Sequence, residues 1–454
     1  MELKDKKVLV VGAGKSGLAV SRFLVGKGAV PVLADAGCPV FPEGVLDKMA
    51  AAGIGLSLGS YPEVGRGSYD LVVMSPGVPL TVEPAREALK NGIPVTGELE
   101  LACQFTGTPI VAVTGTNGKT TTTTLIGAIF KDAGIKTLVG GNIGLPLVTK
   151  VGMYSPEDII VAEVSSFQLE TANSFKPKVA VILNITPDHL DRHGDMESYI
   201  AAKAKVFANQ EPGDFTVLNY DDPLTAGLMG KSRGRSIFFS RREKELNAGV
   251  YVREGKIVAK LDGEAEIICE VDQLNIPGAH NLENVLAAVA ATKVMGVETA
   301  SLAGTLKRFK GVSHRLEFVA EINGVRYIND SKGTNPDASI KALEAYNEPI
   351  VLIAGGKNKG SDFSEFAEKV KERVRLLVVL GQSAGLIADA ARASGFGNIH
   401  YAGDFKEAVV LAHRAARPGE IVLLSPACAS WDMFNSYEER GNLFKKIVLD
   451  LIRE

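Results

Sequence analysis

The segment Val111–Thr124, which reads VAVTGTNGKTTTTT, constrains the fold of this chain more than any other. It joins a short apolar run to a glycine loop, and a helix-compatible segment follows through Ala133. Glycines let successive backbone N–H groups turn toward a phosphate chain, and the N-terminus of the following helix adds partial positive charge. Lys119 and Thr120 supply an ammonium group for the phosphates and a hydroxyl group for their Mg²⁺. The order strand, loop, helix therefore predicts a nucleoside triphosphate site.

One position departs from the full phosphate-loop pattern, because Val113 stands where that pattern has its first glycine. A glycine-threonine turn without a ligand is the alternative interpretation. The coincidence of an apolar strand, the triplet Gly118-Lys119-Thr120 and a helix favours the functional interpretation.

The N-terminal region carries a second nucleotide pattern. An apolar strand at Lys7–Val11 precedes Gly12–Gly17, which has the spacing GxGxxG and opens a predicted helix. A second strand ends at Asp35, where dinucleotide-binding folds place an acidic residue. These features predict a Rossmann-like half that holds a pyrophosphate at the helix N-terminus. The motif leaves open whether the ligand is NAD or another nucleotide. A third strand is predicted at Asp70–Met74, followed by a Ser-Pro-Gly loop.

Polar side chains follow two further apolar strands in the middle of the chain. The strand Ile159–Ala162 delivers Glu163, and an acidic residue there holds Mg²⁺ in phosphate-loop proteins. The strand Val179–Leu183 delivers a loop with two histidines and two aspartates: Asp188, His189, Asp191 and His193. An ordinary polar loop is the alternative, but a triphosphate site in the same sheet favours a metal or catalytic cluster.

The rest of the chain completes three α/β domains. Residues 210–275 hold short strands and turns, and strand–helix alternation restarts near Lys310, with a hairpin around Asn323-Gly324. We therefore predict a Rossmann-like domain at 1–107, a central phosphate-loop domain with a parallel sheet and a small extra β region at 108–310, and a second Rossmann-like domain at 311–454.

Composition excludes several classes of protein. The net charge is −3 and no basic cluster with interleaved aromatic residues occurs, so no nucleic-acid surface is expected. No apolar run is long enough for a membrane span, and the charged N-terminus with its short strand does not fit a signal peptide. The four cysteines lack metal-site spacing and are interpreted as buried thiols. We expect a cytoplasmic protein and a monomer.

Several of these motifs resemble the Mur ligases, the cytoplasmic enzymes that build the peptide stem of peptidoglycan. The motifs that carry the resemblance are Gly115–Thr120, Gly141–Gly144, Glu163–Glu170 and His280–Asn284. Two further motifs, Asn329–Asn335 and Ser425–Asp432, are closest to the D-glutamate-adding branch. The DNPR motif of the diaminopimelate- or lysine-adding branch and the HHP-type motif of the L-alanine-adding branch are absent.

The resemblance implies ATP-driven amide formation with two Mg²⁺ ions. The terminal phosphate of ATP passes to the carboxylate of UDP-N-acetylmuramoyl-L-alanine, and the amine of D-glutamate then displaces phosphate from the acyl phosphate. In the first domain the resemblance changes the expected ligand from NAD to UDP.

The resemblance also implies a role for individual residues. The expected ATP contacts are Gly115, Thr116, Asn117, Gly118, Lys119, Thr120, Thr121, Asn281, Arg315 and Asp330. The expected catalytic residues are Lys119, Glu163, His189 and Lys203. Thr120, Glu163 and His189 are expected to bind Mg²⁺, together with Lys203 carrying a carbamate derived from CO₂. The expected UDP-substrate contacts are Lys15, Ser16, Asp35, Ser75, Gly77, Asn142 and Ser165. The expected D-glutamate contacts are Lys332, Thr334, Lys359, Ser430 and Tyr437.

At some positions this sequence differs from the residues that the family usually carries, and at one lysine the resemblance changes what the sequence pattern alone predicts. Ala36 and Gly37 follow Asp35 where the family has hydroxyl and basic side chains, and Tyr437 stands where an aromatic residue without a hydroxyl is common. On the predicted helix at Tyr199–Ala208, the pattern alone places Lys203 and Lys205 on a solvated face. The resemblance changes this expectation for Lys203 only.

Three other functions remain open at this point. Folylpolyglutamate synthase resembles the ATP domain but needs no UDP-binding first domain. An NAD-dependent dehydrogenase would explain Gly12–Gly17 and Asp35 but not the phosphate loop. A nucleotide-gated binding protein without catalysis would leave the polar loops at the strand ends of all three domains without a purpose.

Overall fold

The computed structural model describes residues 1–243 and 246–452. These residues form two compact units: 1–273 with 283–306, and 274–282 with 307–452. The first unit contains two β-sheets and the second contains one. None of the described helices is long and apolar enough to cross a membrane.

The first sheet has five parallel strands in the order β3-β2-β1-β4-β5, a doubly wound arrangement. Its strands are β1 Lys7–Val11, β2 Val30–Asp35, β3 Gly55–Leu58, β4 Leu71–Met74 and β5 Val95–Gly97. Its helices are α1 Lys15–Gly26, α2 Val45–Ala51, α3 Glu83–Lys90 and α4 Glu98–Cys103. Val8, Leu9, Val10 and Val11 are completely buried, as expected for a central parallel strand covered on both faces.

The second sheet has nine strands in the order β14-β13-β12-β11-β10-β9-β6-β8-β7. Its strands are β6 Ile110–Thr114, β7 Thr137–Gly141, β8 Ile159–Glu163, β9 Val179–Ile182, β10 Phe215–Asn219, β11 Arg235–Glu243, β12 Gly249–Arg253, β13 Lys256–Lys260 and β14 Glu266–Glu270. The associated helices are α5 Lys119–Asp132, α6 Ser166–Glu170, α7 Leu190–His193, α8 Met196–Ala204, α9 Pro223–Ala226, α10 Ala279–Lys293 and α11 Thr299–Arg308. Near one edge of the sheet, β13 pairs antiparallel with both β12 and β14, which confirms the predicted extra β region.

The third sheet has six strands in the order β15-β16-β20-β17-β18-β19. Its strands are β15 Glu317–Ile322, β16 Val325–Asn329, β17 Ile350–Gly355, β18 Val374–Leu380, β19 Ile399–Tyr401 and β20 Ile421–Leu424. Its helices are α12 Pro336–Glu344, α13 Ser364–Arg373, α14 Ala384–Ala393, α15 Phe405–Ala415 and α16 Tyr437–Leu451. Alternate residues of β17 belong to apolar clusters on opposite faces of the sheet, so helices cover both faces.

Three strands are not predicted from the sequence, and the predicted burial of one thiol is wrong. β3 and β5 were not predicted because β3 is a short, partly exposed edge strand and β5 has only three residues. As a consequence, the predicted third strand of the first domain is the fourth. β7 was interpreted as the start of a glycine loop. Cys269 and Cys428 are buried as predicted, and Cys103 is partly buried. The prediction is wrong for Cys38, which is exposed on the loop after β2.

The first two sheets share one apolar core, although they fall in different predicted domains. Leu99 and Leu101 of α4 belong to the same buried cluster as Leu147, Val148 and residues around Phe175. This continuity explains why residues 1–273 behave as one compact unit. All three sheets lie inside the predicted ranges, while the predicted boundaries at 107 and 310 stay a prediction.

Two buried carboxylates of α4 join the two sheets of the first unit. Glu98 accepts a hydrogen bond from the backbone N–H of Val148 at 2.9 Å, and Glu100 accepts from the backbone N–H groups of Asn173, Ser174 and Phe175. Burial raises the pKa of Glu98 to about 7, and the N–H groups of Val148 and Leu147 oppose this rise.

Glu98 should make the stability of the first unit depend on pH. A carboxyl group whose pKa rises from 4.5 to about 7 on folding binds its proton more tightly in the folded state. Its stabilising contribution is therefore present below the unfolded pKa and is lost as the pH rises through the folded pKa. The loss is on the order of 3 kcal/mol.

The test is urea unfolding across this pH range with wild type and Glu98→Gln. Relative to the variant, the wild type should lose free energy of unfolding as the pH rises from 4.5 to about 7. Glu63→Gln changes an exposed glutamate of the same domain and serves as the control. Parallel profiles for wild type and Glu98→Gln would contradict the assignment.

Candidate functional site

The strand register of the second sheet brings the predicted ATP and metal residues to one edge. β6 lies between β8 and β9, with Val113 opposite Glu163 and Thr114 opposite Ile182. Because all three strands are parallel, the loops that follow them meet at their carboxyl ends. The glycine loop after β6 and Glu163 at the end of β8 therefore lie side by side, next to the loop that follows β9.

The glycine loop is held in place by the loop after β9. The backbone N–H of Asn117 donates to the side-chain oxygen of Asn184 at 2.9 Å, and the side-chain amide of Asn184 donates to the carbonyl of Asn117. The N–H of Thr116 donates to the Asn184 carbonyl, and Thr116 exchanges hydrogen bonds with the backbone of Thr186. Sequence reasoning missed Asn184, which fixes the loop conformation.

Gly118 must be glycine for two reasons. Its φ is +84°, which side-chain-bearing residues rarely adopt, and a Cβ atom there would lie 2.2 Å from the side-chain oxygen of Asn284. Asn284 also accepts a hydrogen bond from Thr122 of α5 at 3.2 Å. The motif His280–Asn284 therefore contributes a residue that packs directly against the phosphate loop.

Two lysines converge on one carbonyl of the loop. The Nζ atom of Lys119 lies 2.9 Å from the carbonyl oxygen of Gly115 and 2.8 Å from that of Thr116. The Nζ atom of Lys203, from α8, lies 2.8 Å from the same Gly115 oxygen. Lys203 is only 1% exposed, so the sequence-only interpretation of a solvated lysine is wrong for this residue.

The surroundings of Lys203 favour the neutral amine. Burial lowers its pKa well below the usual lysine value, the Lys119 ammonium lowers it further, and Asp188 opposes the shift. Its Nζ lies 4.5 Å from the ring centre of Tyr199, which is itself buried. Lys205 is half-buried, and its ammonium donates to the carbonyl of Glu170 at 2.8 Å, so it is not a fully solvated lysine either.

Glu163 has the properties of a metal ligand. Its side chain is 2% exposed; one carboxylate oxygen accepts from the Asn142 amide at 2.8 Å, and the other has no hydrogen-bond partner. A buried carboxylate oxygen left without a donor fits a hard cation such as Mg²⁺. Thr120 is buried in the first turn of α5.

Among the residues that the structure describes, no group of three or more His, Cys, Asp or Glu side chains is arranged to hold a metal.

The loop after β9 presents its histidines on one helical turn. His189 has a positive φ of 54° and precedes α7; its ring lies 3.6 Å from Asp188 and packs against Phe167. His193, at the end of α7, is buried and its Nε2 lies 2.9 Å from the Ser166 hydroxyl. Burial lowers the pKa of His193 and the Glu170 carboxylate opposes this shift. Of the two histidines in the predicted cluster, His193 is therefore held by protein groups, since its ring contacts the Ser166 hydroxyl and lies near the Glu170 carboxylate.

Five of the seven predicted UDP contacts belong to the strands, helices and loops of the first sheet. Asp35 accepts from the N–H groups of Ala13 and Gly37, so it shapes the GxGxxG loop, and Ser75 donates to the Gly12 carbonyl at 2.9 Å. Lys15 begins α1, and its ammonium lies 2.5 Å from the Gly144 carbonyl in the second sheet's loop. Ser16 lies in the first turn of α1, and Gly77 lies on the exposed loop after β4. The other two residues belong to the region of the second sheet, where Asn142 follows β7 and Ser165 is the N-cap of α6.

A groove of about 630 Å³ adjoins Lys15. One wall is the side of α1 that carries Leu18 and Phe23, and the opposite wall is formed by Leu145 and its neighbours up to Met153. The groove extends along α1 away from the GxGxxG loop, so it borders the predicted UDP site without containing it.

In the second unit, three neighbouring strand ends assemble the predicted glutamate contacts. β20 lies between β16 and β17, and the loops that follow these strands are bonded to one another. Lys357 and Ala429 exchange backbone hydrogen bonds at 2.9 and 3.1 Å, which joins the loop carrying Lys359 to the loop carrying Ser430. The loop carrying Lys332 is joined through Ser331, whose hydroxyl donates to the Tyr437 carbonyl at 2.8 Å.

Cations and aromatic rings pair in this region. The ammonium of Lys332 lies 5.1 Å from the ring centre of Tyr437, and that of Lys359 lies 5.5 Å from the ring centre of Trp431. Trp431 is 63% exposed, which is unusual for the only tryptophan of the chain. Thr334 lies in the same loop as Lys332, and its N–H donates to the Lys332 carbonyl.

Asp330 is completely buried at the end of β16. Burial raises its pKa to about 6, while Arg315, the Ser425 hydroxyl and the N–H of Leu316 oppose the rise. Arg315 also interacts electrostatically with the buried His280, whose pKa burial lowers to about 3. Asn281, which is predicted together with Arg315 and Asp330 as an ATP contact, is buried and donates to the Pro277 carbonyl. The three predicted contacts thus lie in the second unit, while Gly115–Thr121 lies in the first.

Sequence reasoning also missed Arg440, the largest fully buried side chain. Its guanidinium donates to the hydroxyl and carbonyl of Ser331 and to the carbonyl of Cys428. Burial lowers the pKa of Arg440 to about 10, so the group stays charged at neutral pH. It ties α16 to the two loops that carry the predicted glutamate contacts, and nothing local in the sequence distinguishes it from a surface arginine.

Family models match most of the chain. A Mur ligase MurD-like N-terminal domain matches residues 6–97, a Mur ligase middle domain matches 113–292, and a Mur ligase glutamate ligase domain matches 314–428.

Curated relatives are similar over their full length. A protein of Pelotomaculum thermopropionicum named UDP-N-acetylmuramoylalanine--D-glutamate ligase is 73% identical over 99% of both chains. Proteins with the same name from Thermoanaerobacter sp. strain X514 and Clostridioides difficile strain 630 are 48% and 45% identical, over 99–100% of each chain.

Solved structures share the fold at low sequence identity. UDP-N-acetylmuramate-alanine ligase MurC from Thermotoga maritima has a TM-score of 0.61 at 20% identity, covering 98% of this chain and 100% of that one. MurF ligase from Thermotoga maritima, solved in complex with ADP, has a TM-score of 0.58 at 18% identity, covering 99% and 96%. The domain models and the full-length relatives together establish that this chain belongs to the Mur ligase family, as a MurD-type member.

Proposed function

We propose that this protein uses ATP to join D-glutamate to UDP-N-acetylmuramoyl-L-alanine, a cytoplasmic step of peptidoglycan precursor synthesis. The observation that carries the proposal is 73% identity over 99% of the chain to a relative named for this reaction. The match of residues 6–97 to the MurD-like first domain favours this ligase over folylpolyglutamate synthase. The matches of the middle and glutamate ligase domains favour it over a dehydrogenase.

The first chemical requirement is to bring two anions together. The carboxylate of the UDP substrate attacks the terminal phosphate of ATP, and like charges about 4 Å apart repel by roughly 4 kcal/mol at an effective dielectric constant of 20. The Lys119 ammonium, held at the Gly115 and Thr116 carbonyls, and the N-terminus of α5 offset this repulsion. The products of this half-reaction are an acyl phosphate and ADP.

Mg²⁺ would be held by Glu163, Thr120 and His189, with Lys203 as its carbamate near the second ion. The unpartnered buried oxygen of Glu163 supports this assignment. Bound Mg²⁺ neutralises negative charge on the transferring phosphoryl group. The amide of Asn142 holds the other Glu163 oxygen, so this residue orients the carboxylate.

Lys203 is suited to carbamate formation because CO₂ reacts only with a free amine. The amine nitrogen forms a bond to the carbon of CO₂ and releases one proton to solvent, which leaves a negatively charged carbamate. The burial of Lys203 and its lowered pKa support the presence of free amine at neutral pH.

The second half-reaction is attack by the amine of D-glutamate, whose two carboxylates need cationic and hydroxyl partners. Lys332, Lys359 and Ser430 are the proposed partners, with Thr334 and Tyr437 beside them. Their loops are bonded to one another, which supports a common pocket. Asp330 is the proposed acceptor for the ribose of ATP, and Asn281 and Arg315 are proposed contacts on the base or phosphate side of ATP. A monomer is proposed as the active form.

Phosphate release from Mg-ATP tests the proposal directly. Release should require both UDP-N-acetylmuramoyl-L-alanine and D-glutamate in a panel of D- and L-amino acids. Phosphate release with a different amino acid would show that this chain has another amino-acid specificity within the family. No release with any pairing would contradict the proposal.

Alanine substitution tests the role of Lys203. Lys203→Ala should lower activity by roughly 10- to 100-fold, because an anion close to the metal is lost. Short carboxylates such as acetate should restore part of the activity by occupying the space of the carbamate. Lys203→Arg, which stays charged and cannot form a carbamate, should be inactive and should not respond to acetate.

The matched control is Lys131→Ala, which removes an exposed lysine of α5. It should retain wild-type activity with or without acetate. Full activity of a folded Lys203→Ala protein would contradict the assignment.

A further inference from the structure

Arg192 connects structural elements that the proposed mechanism treats separately. Its guanidinium forms a two-point ion pair with Glu170, with Nε–Oε1 at 3.1 Å and Nη2–Oε2 at 2.6 Å. The side chains are 15% and 18% exposed, so the pair is largely removed from water. The guanidinium carbon also lies 4.2 Å from the ring centre of Phe167, which fixes the plane of the group.

The remaining donors of Arg192 reach the first domain. Nη1 donates to the carbonyl of Pro76 at 3.1 Å, and Nη2 donates to the carbonyl of Val78 at 3.3 Å. Lysine could not reproduce this pattern, because a single ammonium cannot hold a carboxylate in two places and also reach two separate carbonyls in one plane. The contact is therefore specific to arginine geometry.

The loop that Arg192 holds is packed against the GxGxxG loop. Val78 N–H closes a turn on the Ser75 carbonyl at 2.9 Å, and the Ser75 hydroxyl donates to the Gly12 carbonyl. A Cβ atom on Gly12 would lie only 2.8 Å from side-chain atoms of Ser75 and Val78. A shift of residues 75–78 would therefore change the surface that receives the pyrophosphate.

At its other end, Arg192 belongs to the same helical turn as the two histidines. His189 starts this turn with a backbone φ of 54°, and His193 closes it. The Nδ1 atom of His193 lies 3.9 Å from Glu170, the same carboxylate that Arg192 engages. Because α7 has only four residues, the position of Arg192 and that of His189 cannot vary independently.

We propose that Arg192 is a positioning residue that couples the UDP-substrate loop at 75–78 to the α7 turn, so that binding of the UDP substrate strengthens binding of Mg-nucleotide. The proposal rests on the proposed function, because it takes loop 75–78 and His189 as parts of the two substrate sites. A UDP substrate that orders loop 75–78 would also order α7 through the Arg192 guanidinium. By thermodynamic linkage, bound Mg-nucleotide must then strengthen binding of the UDP substrate by the same factor.

The coupling is measured by calorimetry. The affinity for a non-hydrolysable ATP analogue with Mg²⁺ is determined with and without saturating UDP-N-acetylmuramoyl-L-alanine. In the wild type the UDP substrate should raise this affinity at least about fivefold, the lower end of usual allosteric couplings. In Arg192→Lys the ratio should fall toward one. Arg86→Lys, an exposed arginine on α3, should keep the wild-type ratio.

Hydrogen exchange separates coupling from a merely stabilising ion pair. In Arg192→Lys, the backbone amides of Ser75, Gly77 and Val78 and those of residues 189–193 should exchange about tenfold faster, while those of the glycine loop Gly115–Thr120 should not change. A pair that only stabilised the fold would accelerate exchange across the whole unit and leave the affinity ratio intact.

Two results would overturn the proposal. One is an unchanged affinity ratio in folded Arg192→Lys, and the other is unchanged exchange at both 75–78 and 189–193. If the wild type binds no UDP substrate at all, the proposed function fails, and the exchange data alone still decide whether Arg192 links the two segments.

Discussion

The carbonyl oxygen of Gly115 accepts hydrogen bonds from two lysines, and this shared acceptor organises the chemistry of the first unit. Two ammonium groups at one carbonyl would repel each other strongly in a buried setting. The conflict is resolved because Lys203 is buried far more completely than Lys119 and its pKa falls well below the usual value. This difference supports the proposed roles, in which the Lys119 ammonium binds phosphate and the Lys203 amine reacts with CO₂.

The proposed roles require a rigid glycine loop, and the parallel sheet provides it. The loop after β6 is bonded through Asn184 to the loop after β9, while Glu163 emerges from β8 on the other side. The same principle recurs in the second unit, where Asp330, Ser425 and Arg440 join the loops after β16 and β20. The backbone of Lys357 joins the loop after β17 to Ala429 in the loop after β20. In both units, buried polar bonds between neighbouring strand ends hold the functional side chains.

The sequence predicts those residues that sit inside contiguous motifs. Lys119, Glu163 and the hairpin at Asn323-Gly324 are predictable because a strand, a turn signal and a polar residue stand next to each other in the chain. The role of Asn184 is not predictable, because it hydrogen-bonds to Asn117, which lies 67 positions away in the chain. Helix periodicity does not predict the burial of Lys203 either, because it places this residue on a polar face. The burial follows only from the packing of α8 against the glycine loop. Arg192 and Arg440 look like surface arginines for the same reason.

The proposed carbamate on Lys203 can be tested by carbon-13 NMR of the protein in ¹³C-labelled bicarbonate. The wild type should show a carbamate carbonyl resonance that is absent in Lys203→Arg and retained in the control Lys131→Arg. A wild-type spectrum without this resonance, or an identical resonance in Lys203→Arg, would contradict the account.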